Sequence, residues 1–119
     1  MSIHDEISKA ITAHSMWKNR LEKAIETRQS EWTSAKVQPD NLCDFGKWLH
    51  SLPASEKTSN HWKEVQKLHA DFHQEAARVL QFALTGKVHE AKDSLDNGLY
   101  ATCSSKVTLA MIAWKKSLS

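Results

Sequence analysis

"SNHWKEVQKLHADFHQEAARVLQFAL", residues 59–84, decides the fold. Its apolar stripe is Trp62, Val65, Leu68, Phe72, Ala76, Val79, Leu80 and Ala83, with His69 and His73 in the same row. Gaps of three and four residues place these side chains on one face of a helix. Two histidines therefore stand one turn apart on the face meant for a core. Such a pair has its Cβ atoms about 5–6 Å apart, near enough for both imidazoles to meet one ion.

The same spacing recurs on either side. From about Ile3 to Arg28 the stripe is Ile3, Ile7, Ala10, Ile11, His14, Trp17, Leu21, Ala24 and Ile25. Ser2 suits the N-cap of that helix, and Asp5 suits the positive end of its dipole. From about Val88 to Leu118 the stripe is Val88, Ala91, Leu95, Leu99, Cys103, Val107, Ala110 and Trp114, which predicts one helix with Gly98 inside it. Gly86 is placed to end the helix before it. "LCDFGKWLHSLP", residues 42–53, carries Leu42, Phe45, Trp48, Leu49 and Leu52 and predicts a short helix closed by Pro53. Gly46, a poor helix former, predicts that the first helix passes close to this short one. Residues 29–41 have no period and contain Pro39; they are expected to be a loop ending in the capping residues Asp40 and Asn41.

Three long amphipathic helices and a short cysteine-bearing one predict an all-α four-helix bundle, with residues 1–119 as a single domain. At ~1.5 Å per residue the long helices would each reach roughly 40 Å. So elongated a shape is expected to complete its core as a homodimer.

Composition excludes several classes. Three glycines and two prolines in 119 residues leave little turn chemistry for a many-stranded sheet. A net charge of +2, with basic residues scattered among acids, is no footprint for nucleic acid. No run approaches the roughly 18 apolar residues of a membrane span. "MSIHDEISKA" lacks the pattern of a signal peptide, so a cytoplasmic location is expected, where the two cysteines would stay reduced.

Seven histidines and five tryptophans are many for this length. His69, His73, His14 and Cys43 together make a set of three imidazoles and one thiolate on three elements. Such nitrogen and sulfur donors suit tetrahedral Zn²⁺ and not Mg²⁺ or Ca²⁺, which prefer oxygen. The plainer alternative stands beside it: each histidine satisfied by hydrogen bonds in the core, and Cys43 a small buried hydrophobe. Three inward imidazoles without a shared partner would be costly to bury. His4, His50, His61 and His89 fall off the stripes and are expected at the surface. Asp44 is a candidate to orient a ligand imidazole, whereas Asp71 is expected to face solvent. Trp17 and Trp48 are expected to pack around the site, and Cys103 within the core. "DFG" at 44–46 has no kinase companions, and no HExxH is present, so no enzyme is expected.

The order "HSMW" (14–17), "CDFGKW" (43–48) and "HADFH" (69–73) resembles the chemoreceptor zinc-binding (CZB) domain family. Twenty-five residues separate Trp17 from Cys43 and 20 separate Trp48 from His69, and both gaps suit the family's pattern. "SLDNGLYATCSSKVTLAMIAW" (94–114) is similar to the family's last helix. The resemblance implies a four-helix bundle holding one zinc through His14, Cys43, His69 and His73. It implies a cytoplasmic sensory module, often homodimeric, that responds to zinc level or to oxidation of the zinc-bound cysteine, hypochlorous acid among the oxidants. The partner implied is an output domain of chemoreceptor or diguanylate cyclase type, either fused or carried by a separate protein. Alternatives are a structural zinc-stabilised dimeric scaffold and a hemerythrin-like metal bundle, which would want carboxylate ligands and leave Cys43 unused.

Overall fold

Ser2 caps the first helix, its side-chain oxygen accepting the Asp5 N–H at 3.1 Å. That helix is α1 (Ile3–Thr27) in the computed structural model, which describes residues 2–41 and 43–118. It is followed by α2 (Ser34–Val37), α3 (Asp44–Ser51), α4 (Ala54–Lys57), α5 (Asn60–Leu84), α6 (Val88–Asp96) and α7 (Leu99–Ser117). There is no strand among the described residues. The chain is an all-α bundle measuring 45 × 23 × 19 Å, its long dimension set by α1 and α5.

Helix α5 touches every other helix. Its predicted inward face is buried from Val65 to Ala83, with Trp62 and Leu68 half-buried at the edge. Ile7, Leu21, Leu49, Val65, Phe72 and Met111 lie in one core with essentially no exposed surface. Removing some 150–250 Å² of aromatic surface per ring from water makes residues such as Phe72 and Tyr100 the heaviest contributors to that core. Helix α5 ends at the predicted glycine: Gly86 has φ +82°, and the Lys87 N–H reaches back to the Phe82 carbonyl at 2.8 Å.

The fourth segment differs from its prediction. It is two helices, because the chain leaves helical geometry at Asn97 and Gly98. A Cβ at Gly98 would lie 2.8 Å from the Ser94 Cα, so only glycine permits this turn. The break moves the inward position by one residue at the start of α7. Leu99, predicted inward, is 54% exposed, and Tyr100 takes the core place. Beyond it Val107, Ala110 and Trp114 are buried as expected, and Cys103 is half-buried against the core.

Residues 29–41 are not wholly loop. Thr33 caps the single turn α2, accepting the Lys36 N–H, and Val37 is buried. Leu42, assigned to the short helix, lies outside the described residues. Pro53 closes α3 as predicted and opens the single turn α4. Gly46 does admit a close neighbour, and the nearest is the preceding loop: a Cβ there would fall on the main-chain carbonyl of Asp40. The loop folds back over the first turn of α3, and that fold fixes where Cys43 sits.

Candidate metal centre

Cys43 is the N-cap of α3, a place expected for Asp40 or Asn41. Its Sγ accepts the Gly46 N–H at 3.3 Å. His14 lies midway along α1, with its Nδ1 2.8 Å from the Ala10 carbonyl one turn back. His73 lies on α5, and its Nδ1 is 2.8 Å from the carbonyl of Val37 in α2. His69 precedes it by one turn and has no exposed surface.

The donor atoms converge. His69 Nε2 is 3.0 Å from His14 Nε2 and 3.0 Å from His73 Nε2. Cys43 Sγ is 3.4 Å from the Nε2 atoms of both His69 and His73. All four donor atoms lie within 4.8 Å of one another. A zinc tetrahedron with its usual bond lengths has N···N edges of about 3.3 Å and N···S edges of about 3.6 Å. The four short edges are slightly tighter than that, and the whole donor set lies within 4.8 Å.

A carbonyl only accepts, so His14 and His73 must carry their ring protons on Nδ1. Burial, the largest influence on all three histidines, disfavours the charged form. It holds His14 down to about 4 and pushes His69 lower still; His73 is lowered too, partly opposed by its bond to Val37. Near neutral pH His14 and His73 therefore each turn a bare Nε2 lone pair toward His69 Nε2. Burial also raises the Cys43 thiol, opposed by main-chain N–H groups at Gly46 and Phe45. Lone pairs facing each other at 3.0 Å repel unless a proton or a cation lies between them. These residues fit zinc: one divalent cation would satisfy all three nitrogens and draw the sulfur to its thiolate form.

Acid should undo this arrangement. An unfolded chain protonates His14 near pH 6.5, the folded chain only near about 4, so between those values the unfolded state holds the extra proton. Stability falls as pH drops through that window, by on the order of 3 kcal/mol for His14 alone. His69 and His73 act in the same direction. Urea midpoints of metal-free protein should decline steadily as pH falls from about 6.5 to about 4, and a flat profile would show that the imidazoles are not buried neutral.

One side of the cluster is open. A cavity of about 550 Å³ between α1, α2 and α3 has His14, His73 and Cys43 among its walls. Trp17 and Trp32 stand at its edge with ring centres 5.2 Å apart, and the Arg20 guanidinium lies 4.9 Å from the Trp17 ring. Phe45, also in the cavity wall, and Phe72 pack edge-on against His14.

The structure thus brings together all four residues the sequence singled out. Of the remaining histidines, His4 and His89 are exposed and His61 is partly buried. His50 is partly exposed and has a partner the sequence did not predict: its Nε2 is 3.0 Å from Asp40 Oδ2. Asp44 is exposed on the cavity wall, and the carboxylate facing a cluster imidazole is that of Asp40, 3.9 Å from His69 Nδ1. Sequence periodicity carries no signal for Asp40, because it lies in the unpatterned loop. Asp71 is half-buried, Trp17 is buried and Trp48 is partly buried against the core.

No helix of the described residues is long and apolar enough to cross a membrane. Neither the curated proteins nor the solved structures yield a match to the chain. A family model does: it covers residues 14–80, beginning at His14 and enclosing Cys43, His69 and His73, while α6 and α7 lie outside it. With more than half its length matched, and the cluster of three histidines and one cysteine inside the match, the chain belongs to the chemoreceptor zinc-binding domain family.

Proposed function

We propose that the chain is a sensory module that holds one zinc through His14, Cys43, His69 and His73 and changes conformation when that site is altered. The observation that supports this most is the convergence of three Nε2 atoms and one Sγ, with two of the rings already fixed in the ligating tautomer. Four protein donors leave no open position for a substrate, which favours sensing over turnover. The cluster contains no carboxylate, so a hemerythrin-like centre finds no support in it.

Bound there, the ion would supply positive charge that keeps Cys43 as thiolate, the form a two-electron oxidant attacks. Cys43 also caps α3, so oxidation to sulfenic acid weakens a donor and a helix start at one stroke. Helix α3 is held by α1 and α5, and its Trp48 ring lies 6.1 Å from Trp114 near the end of α7. A displaced α3 would be felt at α7 through that contact. Residues 1–119 work in this reading as one cytoplasmic unit, paired as a homodimer. Family members commonly sit in chemoreceptors or diguanylate cyclases, and an output partner of that type is the one we propose here.

The test is elemental analysis of protein purified without chelator, before and after a near-stoichiometric pulse of hypochlorous acid. The expected result is about one zinc per chain, lost after the pulse. Zinc that stays bound through the pulse leaves a zinc-level sensor or a structural scaffold. No zinc at all sinks the metal reading.

A further inference from the structure

Two of the three cluster histidines have their outer ring nitrogen closed by the main chain, and the third does not. His69 Nδ1 is buried and lacks a hydrogen-bond partner. Asp40 Oδ2 stands 3.9 Å from it, too far for a hydrogen bond and on the side that matters. Asp40 is itself firmly held. Its Oδ2 meets His50 Nε2 at 3.0 Å, and its main-chain carbonyl sits against Gly46 and lies 3.9 Å from Cys43 Sγ.

His69 is the central donor, because its Nε2 touches the donor atoms of the other three residues. It has two neutral forms. With the proton on Nε2 it can donate to a neighbouring imidazole, and Nδ1 is left bare. With the proton on Nδ1 it frees Nε2 for a metal and needs an acceptor outside the cluster. Among the described residues the carboxylate paired with it is that of Asp40.

Resting on the proposed zinc site, we infer that Asp40 is its positioning residue. The Asp40 carboxylate accepts the His69 Nδ1–H, selects the tautomer that turns Nε2 toward the other donors, and is steadied by His50. Closing the gap to a charge-assisted hydrogen bond of about 2.8 Å takes roughly 1 Å of movement. A carboxylate does more here than the carbonyls of Ala10 and Val37 do for their histidines. It raises the basicity of the ring, and its charge offsets the single positive charge left when one thiolate binds a divalent cation.

The experiment uses the full chain with Asp40→Ala, Asp40→Asn and His50→Gln. Zinc affinity is measured by chelator competition, melting temperature with and without zinc, and the ¹⁵N shifts of the His69 ring in the metal-free protein. Asp40→Ala should weaken zinc about 10–100-fold. Asp40→Asn keeps an accepting oxygen without the charge and should recover part of that loss, with a metal-free melting temperature near wild type. His50→Gln should cost less than either. The His69 shifts should move toward the Nε2-protonated form in Asp40→Ala. Affinities within about 2-fold of wild type for both Asp40 variants would overturn the inference. So would equal destabilisation of metal-free and zinc-loaded Asp40→Ala, which would mark Asp40 as scaffold only. A wild type that takes up no zinc brings down the proposed function first and this inference with it.

Discussion

Cys43→Ala should leave the chain unable to retain zinc against a mild chelator. Affinity should fall by more than the roughly 100-fold that loss of an outer hydrogen bond costs, since the donor itself is gone. The remaining set would be three neutral imidazoles with no anion to balance the ion. The helix start suffers as well, because Cys43 Sγ accepts the Gly46 N–H at 3.3 Å. Removing a capping acceptor costs about 1 kcal/mol. Cys43→Ser separates the two roles. Serine is a good N-cap but a poor zinc donor, so its metal-free stability should match wild type while its zinc affinity falls as in the alanine variant. Competition titrations and urea melts on the two variants read both quantities. A serine variant that binds zinc as tightly as wild type would remove Cys43 from the centre.

The second large effect is expected at Gly46. Glycine to alanine inside a helix normally stabilises, by up to about 1 kcal/mol. Here the sign should reverse. The new Cβ would fall on the Asp40 carbonyl, and main chain pressed on main chain has no rotamer through which to escape. Overpacking of this kind costs about 3 kcal/mol. The strain would act on the loop that carries Asp40 and on the turn that carries Cys43, so zinc affinity should fall together with stability. Urea denaturation with and without zinc checks both. An alanine variant as stable as wild type would mean that the loop does not lie over α3 as described.

Long elements were legible from the sequence, and short ones were not. Helices α1 and α5 span 25 residues each, enough turns for the three-and-four spacing to show, and Ser2 and Gly86 mark an end of each. Helices α2 and α4 have four residues each, a single turn with no period to find. The break at Gly98 escaped because its flanks, up to Leu95 and on from Leu99, keep a spacing of four that suits one continuous helix. Only the main-chain turn, which slips the register to Tyr100, shows otherwise. The four cluster residues were legible because residue type and inward spacing coincide at each histidine. Asp40 and its bond to His50 were not, because their meeting depends on how a loop folds back over α3.

The cavity beside α2 has a kinetic side. His69 is sealed from solvent, whereas Cys43, His14 and His73 face the opening. Through it an incoming ion, a departing ion or an oxidant can reach three of the four donors. Val37, whose carbonyl orients His73, forms part of the same wall and belongs to a single helical turn. How long an ion stays therefore depends on how often that turn yields, apart from how tightly the four donors hold it. Two chains of equal affinity would trade metal at different speeds if their α2 turns differed in stability.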